Sequence, residues 1–115
     1  MSLYKLASVG IGIDLGTTNT VAAIFDGKNQ LVVKNNRGSH MTSSVVSFTK
    51  RGVIVGEQAM DNVKNISNTV FDAKRMMGLA FADIQSFTNH WPFKVYPNEK
   101  GKICSLYFVF YILCS

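Results

Sequence analysis

Apolar positions in the first half of the chain come in short runs broken by glycine and polar turns, a strand pattern; later they recur every three or four residues, a helix pattern. Val9 to Leu15, rich in Val, Ile and Gly, predicts a buried strand, and Gly16 to Thr18 must reverse the chain into a second strand, Val21 to Phe25. Asp26-Gly27-Lys28-Asn29 is a turn signal, and Gln30 to Lys34 supplies a third antiparallel strand. Asn35 to Ser44 is polar and reads as a loop before a fourth strand, Val45 to Thr49. Lys50-Arg51-Gly52 then turns the chain into a fifth, Val53 to Val55.

The period changes at Gly56. Ala59, Val63 and Ile66 share one face of a short helix, which Asn65 to Asn68 ends. Thr69-Val70-Phe71 is extended, and Asp72 is placed to cap a helical turn carrying Lys74 and Arg75. Met76, Met77 and Leu79 are expected to fill core, and Trp91 to anchor it. Phe81, Ile84 and Phe87 stand at helix spacing within Phe81 to His90, which Pro92 closes. Phe93 to Tyr96 and the apolar run from Ile103 make a hairpin around Pro97 to Lys102. The fold class is therefore α/β: a mixed or antiparallel sheet over residues 9–56, with small helices and a hairpin after it.

Length and composition narrow the functional classes. A chain of 115 residues is one domain at most, with material for a modest core. The net charge of +5 invites a nucleic-acid reading, but only Lys50-Arg51 and Lys74-Arg75 put basic residues side by side, so no basic strip forms and no nucleic-acid partner is expected. Cys104 and Cys114 are the only cysteines and have no metal or redox spacing. His40 and His90 likewise lack partners at metal spacing and are read as structural or exposed. No secretory or transit pattern is legible at Met1 to Ser8, which favours a cytoplasmic setting.

Chemistry concentrates at Gly12-Ile13-Asp14-Leu15-Gly16-Thr17-Thr18-Asn19. A tight turn between strands exposes backbone N–H groups, and with two threonine hydroxyls beside them these can receive phosphate oxygens. Gly16 lacks the Cβ that would hold a phosphate away. Asp14 would face a magnesium ion through its water shell. An ordinary hairpin with a Gly-Thr turn has the same local sequence.

Four strings in order resemble the start of the Hsp70 chaperone ATPase domain: residues 12 to 19, Val46 to Thr49, Asn68 to Arg75, and His90 to Phe93. The resemblance implies the actin-like (ribonuclease H-like) ATPase lobe, present in part. It implies ATP or ADP with magnesium, with Gly16, Thr17, Thr18 and Asn19 as the first phosphate loop and Asp14 as the metal-side carboxylate. Lys74 resembles the lysine that places the attacking water and the γ-phosphate, so Lys74 and Asp14 are the catalytic candidates. Arg75 is read as structural, pairing with Asp72 or holding an interface. Implied partners are unfolded polypeptides, J-domain co-chaperones and nucleotide exchange factors.

The chain also departs from the family. Thr42-Ser43-Ser44 stands where the family has Thr-Pro-Ser. The second phosphate loop, the adenosine-binding segment and the opposite lobe are missing from these 115 residues. Residues 1–102 therefore read as the N-terminal part of the nucleotide-binding domain, and 103–115 as a divergent hydrophobic tail. The apolar run of the tail is shorter than the roughly 20 residues a membrane helix needs, and its aromatic and β-branched content favours a strand prone to self-association through residues 103–114. Three functional readings stay open: an ATPase completed by a second lobe, a weak nucleotide-binding module, and a non-catalytic fragment acting through protein contacts.

Overall fold

A computed structural model describes residues 9–103. In place of one continuous sheet over residues 9–56 it has two, and every strand pairing in both is antiparallel. The first holds β1 (Gly10–Leu15), β2 (Asn19–Phe25), β3 (Gln30–Val32) and β4 (Thr42–Ser43), in the order β1-β2-β3, with β4 also paired to β2. The second holds β5 (Val46–Thr49), β6 (Gly52–Val55) and β7 (Thr69–Val70), in the order β6-β5-β7.

Strand β4 lies inside the stretch expected to be loop. Its two residues, Thr42 and Ser43, pair with Thr20 and Asn19 and carry no apolar alternation, so periodicity is blind to it. The third strand ends at Val32, although Val33 extends the ladder by one N–H bond to the Ala22 carbonyl at 2.8 Å. The chain changes sheets at Ser44-Val45, between β4 and β5.

After β6 the helices are shorter than the spacing predicts. Helix α1 covers only Glu57–Asp61, and a 3-10 segment, Val63–Asn68, follows, itself kinked at Asn65. That kink has a local cause. The Asn65 amide reaches back to the Ser47 hydroxyl at 2.9 Å and the Phe48 carbonyl at 2.8 Å, while its own carbonyl takes the Thr69 hydroxyl at 2.9 Å. Ser47, fully buried, also bonds Thr69 Oγ1 at 2.9 Å, so the polar atoms beneath β5 are satisfied. Phe81 to His90 likewise divides into α3 (Phe81–Ile84) and a 3-10 turn at Thr88–His90.

The core sits under the second sheet. Val46, Ala73, Met76, Ile84, Phe93 and Ile103 form it, with Leu15 the contribution of β1. Phe93 meets Phe71 edge-on at 5.3 Å and stacks on Trp91 at 5.4 Å, so Trp91 is an anchor, half-buried. Of the expected core methionines only Met76 is buried; Met77 and Leu79 are nearly half exposed, because helix α2 (Ala73–Met76) ends before they can turn inward. Phe87 is exposed for the same reason, beyond the end of α3. The last hairpin is reduced to a bridge between Pro97 and Ile103, closed by the Asn98–Lys102 turn. The tail expected to self-associate lies, beyond Ile103, outside the described residues.

Candidate functional site

The β1–β2 register fixes what the first turn presents. Gly10, Gly12 and Asp14 pair with Phe25, Ala23 and Val21 on one face of the sheet; Ile11, Ile13 and Leu15 pair with Ile24, Ala22 and Thr20 on the other. Asp14 therefore stands at the end of a glycine-lined face, exposed, one residue before the chain turns. The turn closes through the Gly16 N–H and the Asn19 carbonyl at 3.0 Å, leaving Thr17 and Thr18 at the tip. A Cβ on Gly16 would collide with that same Asn19 carbonyl oxygen, so only glycine lets the turn close this tightly.

Neither Thr17 nor Thr18 donates its backbone N–H to another group among the described residues. Behind the tip, the Ser44 N–H donates to the Thr18 carbonyl at 2.8 Å and the Ser44 hydroxyl to the Gly16 carbonyl at 2.9 Å. The result is a turn with its carbonyls held at the back and free donors at the front, a geometry that suits an anion.

Thr17 and Thr18 open on a cavity of about 330 Å³ whose other wall includes Val45, Ala59, Met60, Phe71 and Asp72. The segment leading into α2 is thus brought to the turn. Asp72 stands at the N-cap position of α2 with φ 57°, but its side chain makes no cap bond. Its carboxylate is used elsewhere: it accepts the Trp91 indole N–H at 3.2 Å and pairs with Arg75 at 3.6 Å. That corrects the expected capping role and matches the expected Arg75–Asp72 pairing. Lys74 follows on α2, exposed between the buried anchors Ala73 and Met76. No hydrogen bond or ion pair joins Lys74 to Asp14 or to the turn among the described residues.

A magnesium ion fits this donor set in one way. No three His, Cys, Asp or Glu side chains come together among the described residues, so a cation facing Asp14 through its water shell would take its ligands from phosphate oxygens and water. No described helix is long and apolar enough to cross a membrane.

Residues that the sequence did not single out hold the site together. Besides Ser44, Glu57 accepts the Ser43 N–H at 3.0 Å and the Ser43 hydroxyl at 3.1 Å, tying β4 to α1. Burial pushes the Glu57 carboxyl up, yet its own N–H, the two Ser43 donors and the nearby Arg37 outweigh this and hold it below its ordinary value. The only sequence signal for this tie is a hydroxyl pair placed in a polar stretch, which turns share.

A model of the family described as Hsp70 protein matches residues 10–106. The chain belongs to the Hsp70 family. Its two sheets and short helices are accordingly part of that family's actin-like ATPase fold. The chain is 45% identical over 101 residues to the yeast (Saccharomyces cerevisiae) heat shock protein SSC3, mitochondrial, covering 84% of this chain and 16% of the relative. It is 38% identical over 94 residues to the chaperone protein DnaK of Thermus thermophilus, covering 81% and 15%. With the putative heat shock 70 kDa protein 7 of Homo sapiens it shares 42% over 97 residues, covering 82% and 26%. It thus spans about one sixth of the length of the yeast and Thermus relatives. One of these Hsp70 relatives is named mitochondrial, so similarity within the family does not carry the cytoplasmic expectation.

Proposed function

We propose that Gly12 to Asn19, together with Lys74, form one wall of an ATP or ADP site that takes magnesium, in an N-terminal piece of an Hsp70-type chaperone domain. The observation that carries this reading is the turn itself: a glycine whose Cβ has no room, carbonyls drawn back by Ser44, and Thr17 and Thr18 facing an open cavity. In it the N–H groups and hydroxyls of Thr17 and Thr18 receive phosphate oxygens, with Gly16 and Asn19 closing the turn. Asp14 orients the water shell of the cation, and Lys74 adds a fixed positive charge.

A nucleotide with magnesium supplies the phosphoanhydride bond; the wall supplies orientation and charge neutralisation. Hydrolysis further requires water to be excluded by an opposing lobe. Turnover, capture of unfolded polypeptides, and work with J-domain proteins and exchange factors are therefore proposed only for the chain together with the rest of such a domain.

Isothermal titration of the purified chain with ATP and magnesium tests the reading. Saturable heat that Thr17→Ala and Lys74→Ala each weaken supports it, and absence of heat from a folded sample refutes it.

A second reading has its own observation. Ile11 is 72% exposed, Ile13 46% and Leu31 61%, and β1 has no strand on its outer side among the described residues. Such a surface favours a fragment that acts through protein contacts. Sedimentation across a concentration series separates the two: association that Ile11→Ser abolishes, without nucleotide binding, selects the second.

A further inference from the structure

We propose that Ser44 is the positioning residue of the phosphate turn, acting through the backbone of Gly16 and Thr18 without touching the nucleotide. The inference rests on the nucleotide-wall reading above. Ser44 is 2% exposed, and its hydroxyl has one proton. That proton goes to the Gly16 carbonyl, which among the described residues is the Ser44 hydroxyl's one partner with no proton of its own to give. The Thr20 hydroxyl, 2.9 Å away, must then donate to Ser44 Oγ. A directed chain results: Thr20 to Ser44 to Gly16, with the Ser44 N–H holding Thr18 beside it.

Its consequence follows from peptide geometry. In a trans peptide the N–H of the next residue points opposite to the carbonyl, and no peptide among the described residues is cis. Fixing the Gly16 carbonyl toward Ser44 therefore aims the Thr17 N–H the other way, out of the turn. Without the hydroxyl, the Gly16 carbonyl loses its buried partner and that peptide is free to rotate. The carbonyl could then swing outward, placing a partial negative charge where a phosphate would sit. Ser44 also lies where β4 hands over to β5, so the same residue registers the turn against the second sheet.

The test compares the full chain with Ser44→Ala, Ser44→Thr and Thr20→Val in two measurements. In the nucleotide-free chain, amide hydrogen exchange of Gly16, whose N–H closes the turn on the Asn19 carbonyl, is expected to quicken in Ser44→Ala, while amides of β5 and the fluorescence of Trp91, the single tryptophan, stay unchanged. In titration with ATP and magnesium, Ser44→Ala is expected to bind about tenfold more weakly, the scale of one buried hydrogen bond. Thr20→Val is expected to lose less, and Ser44→Thr, which keeps the hydroxyl, to recover most of the affinity. Unchanged exchange at Gly16, or faster exchange with undiminished affinity, overturns the proposal. If the unmutated chain binds no nucleotide, the wall reading fails, and the exchange difference alone decides whether Ser44 orders the turn.

Discussion

The two sheets of this chain carry opposite halves of its design. The second, β5 to β7, is backed by a closed core in which Val46 and Ile84 are essentially inaccessible to solvent. The first, β1 to β4, bears the candidate site yet leaves Ile11 and Leu31 largely exposed and Ile13 and Phe25 nearly half exposed. Stability and chemistry are thus separated: one sheet holds itself together, while the other is held by its ladder and by a seam at Ser43-Ser44-Val45. Leu15 packing, the Ser44 bonds and the Ser43–Glu57 tie make up that seam. Among the described residues no strand pairs with the outer edge of β1.

The sharpest way to break the contrast is a large-to-small change in each sheet. Ile84→Ala should destabilise the chain by about 3 kcal/mol, since its side chain is fully buried and leaves a cavity. Urea unfolding followed by Trp91 fluorescence checks it. Next in size is Gly16→Ala, expected to cost about 2 kcal/mol because its methyl collides with backbone rather than with a side chain that can move aside. Nucleotide affinity should fall with it, whereas the β5–β7 amides should keep their protection.

Acid probes the seam with a smaller effect. The Glu57 carboxyl lies below its ordinary value of 4.5, so the stability it adds is fully present above that pH and is lost as pH falls through the lowered folded value. Glu57→Gln, which keeps an acceptor for Ser43, should flatten this limb of a stability-against-pH curve. Asp26 is also lowered, by the Asn29 and Lys28 N–H groups, so Asp26→Asn serves as the control for an exposed turn. The smallest effect is expected for Ile11→Ser, within about 0.5 kcal/mol, because Ile11 is already mostly in water. A large loss from that change would mean that the first sheet is covered after all.

Much of this arrangement is legible in the residues. β1, β2, β5 and β6 follow apolar runs bounded by glycine, and the motif from Gly12 to Asn19 marks the turn. What escapes is the seam. Thr42 and Ser43 pair as a strand for reasons of backbone reach, not hydrophobic period, and Ser44 acts through carbonyls that the sequence does not display. The division into two sheets escapes with it, since a polar Ser44 between two strand-forming runs looks like any strand entry. Asp72 is misjudged differently: as a cap candidate it is recognised, but Trp91 and Arg75 take its carboxylate first. Met77 and Leu79 show that apolar identity places a residue in the core only when the helix lasts long enough to turn it there.

The most direct test of the nucleotide wall is a titration of the isotopically labelled chain with ADP and magnesium, followed by amide resonances. The account predicts saturable shifts concentrated at Asp14 to Asn19 and near Lys74, with Val46 to Thr49 unmoved. Shifts spread over the β5–β7 core, or none at a folded chain's Gly16 to Asn19, would contradict it.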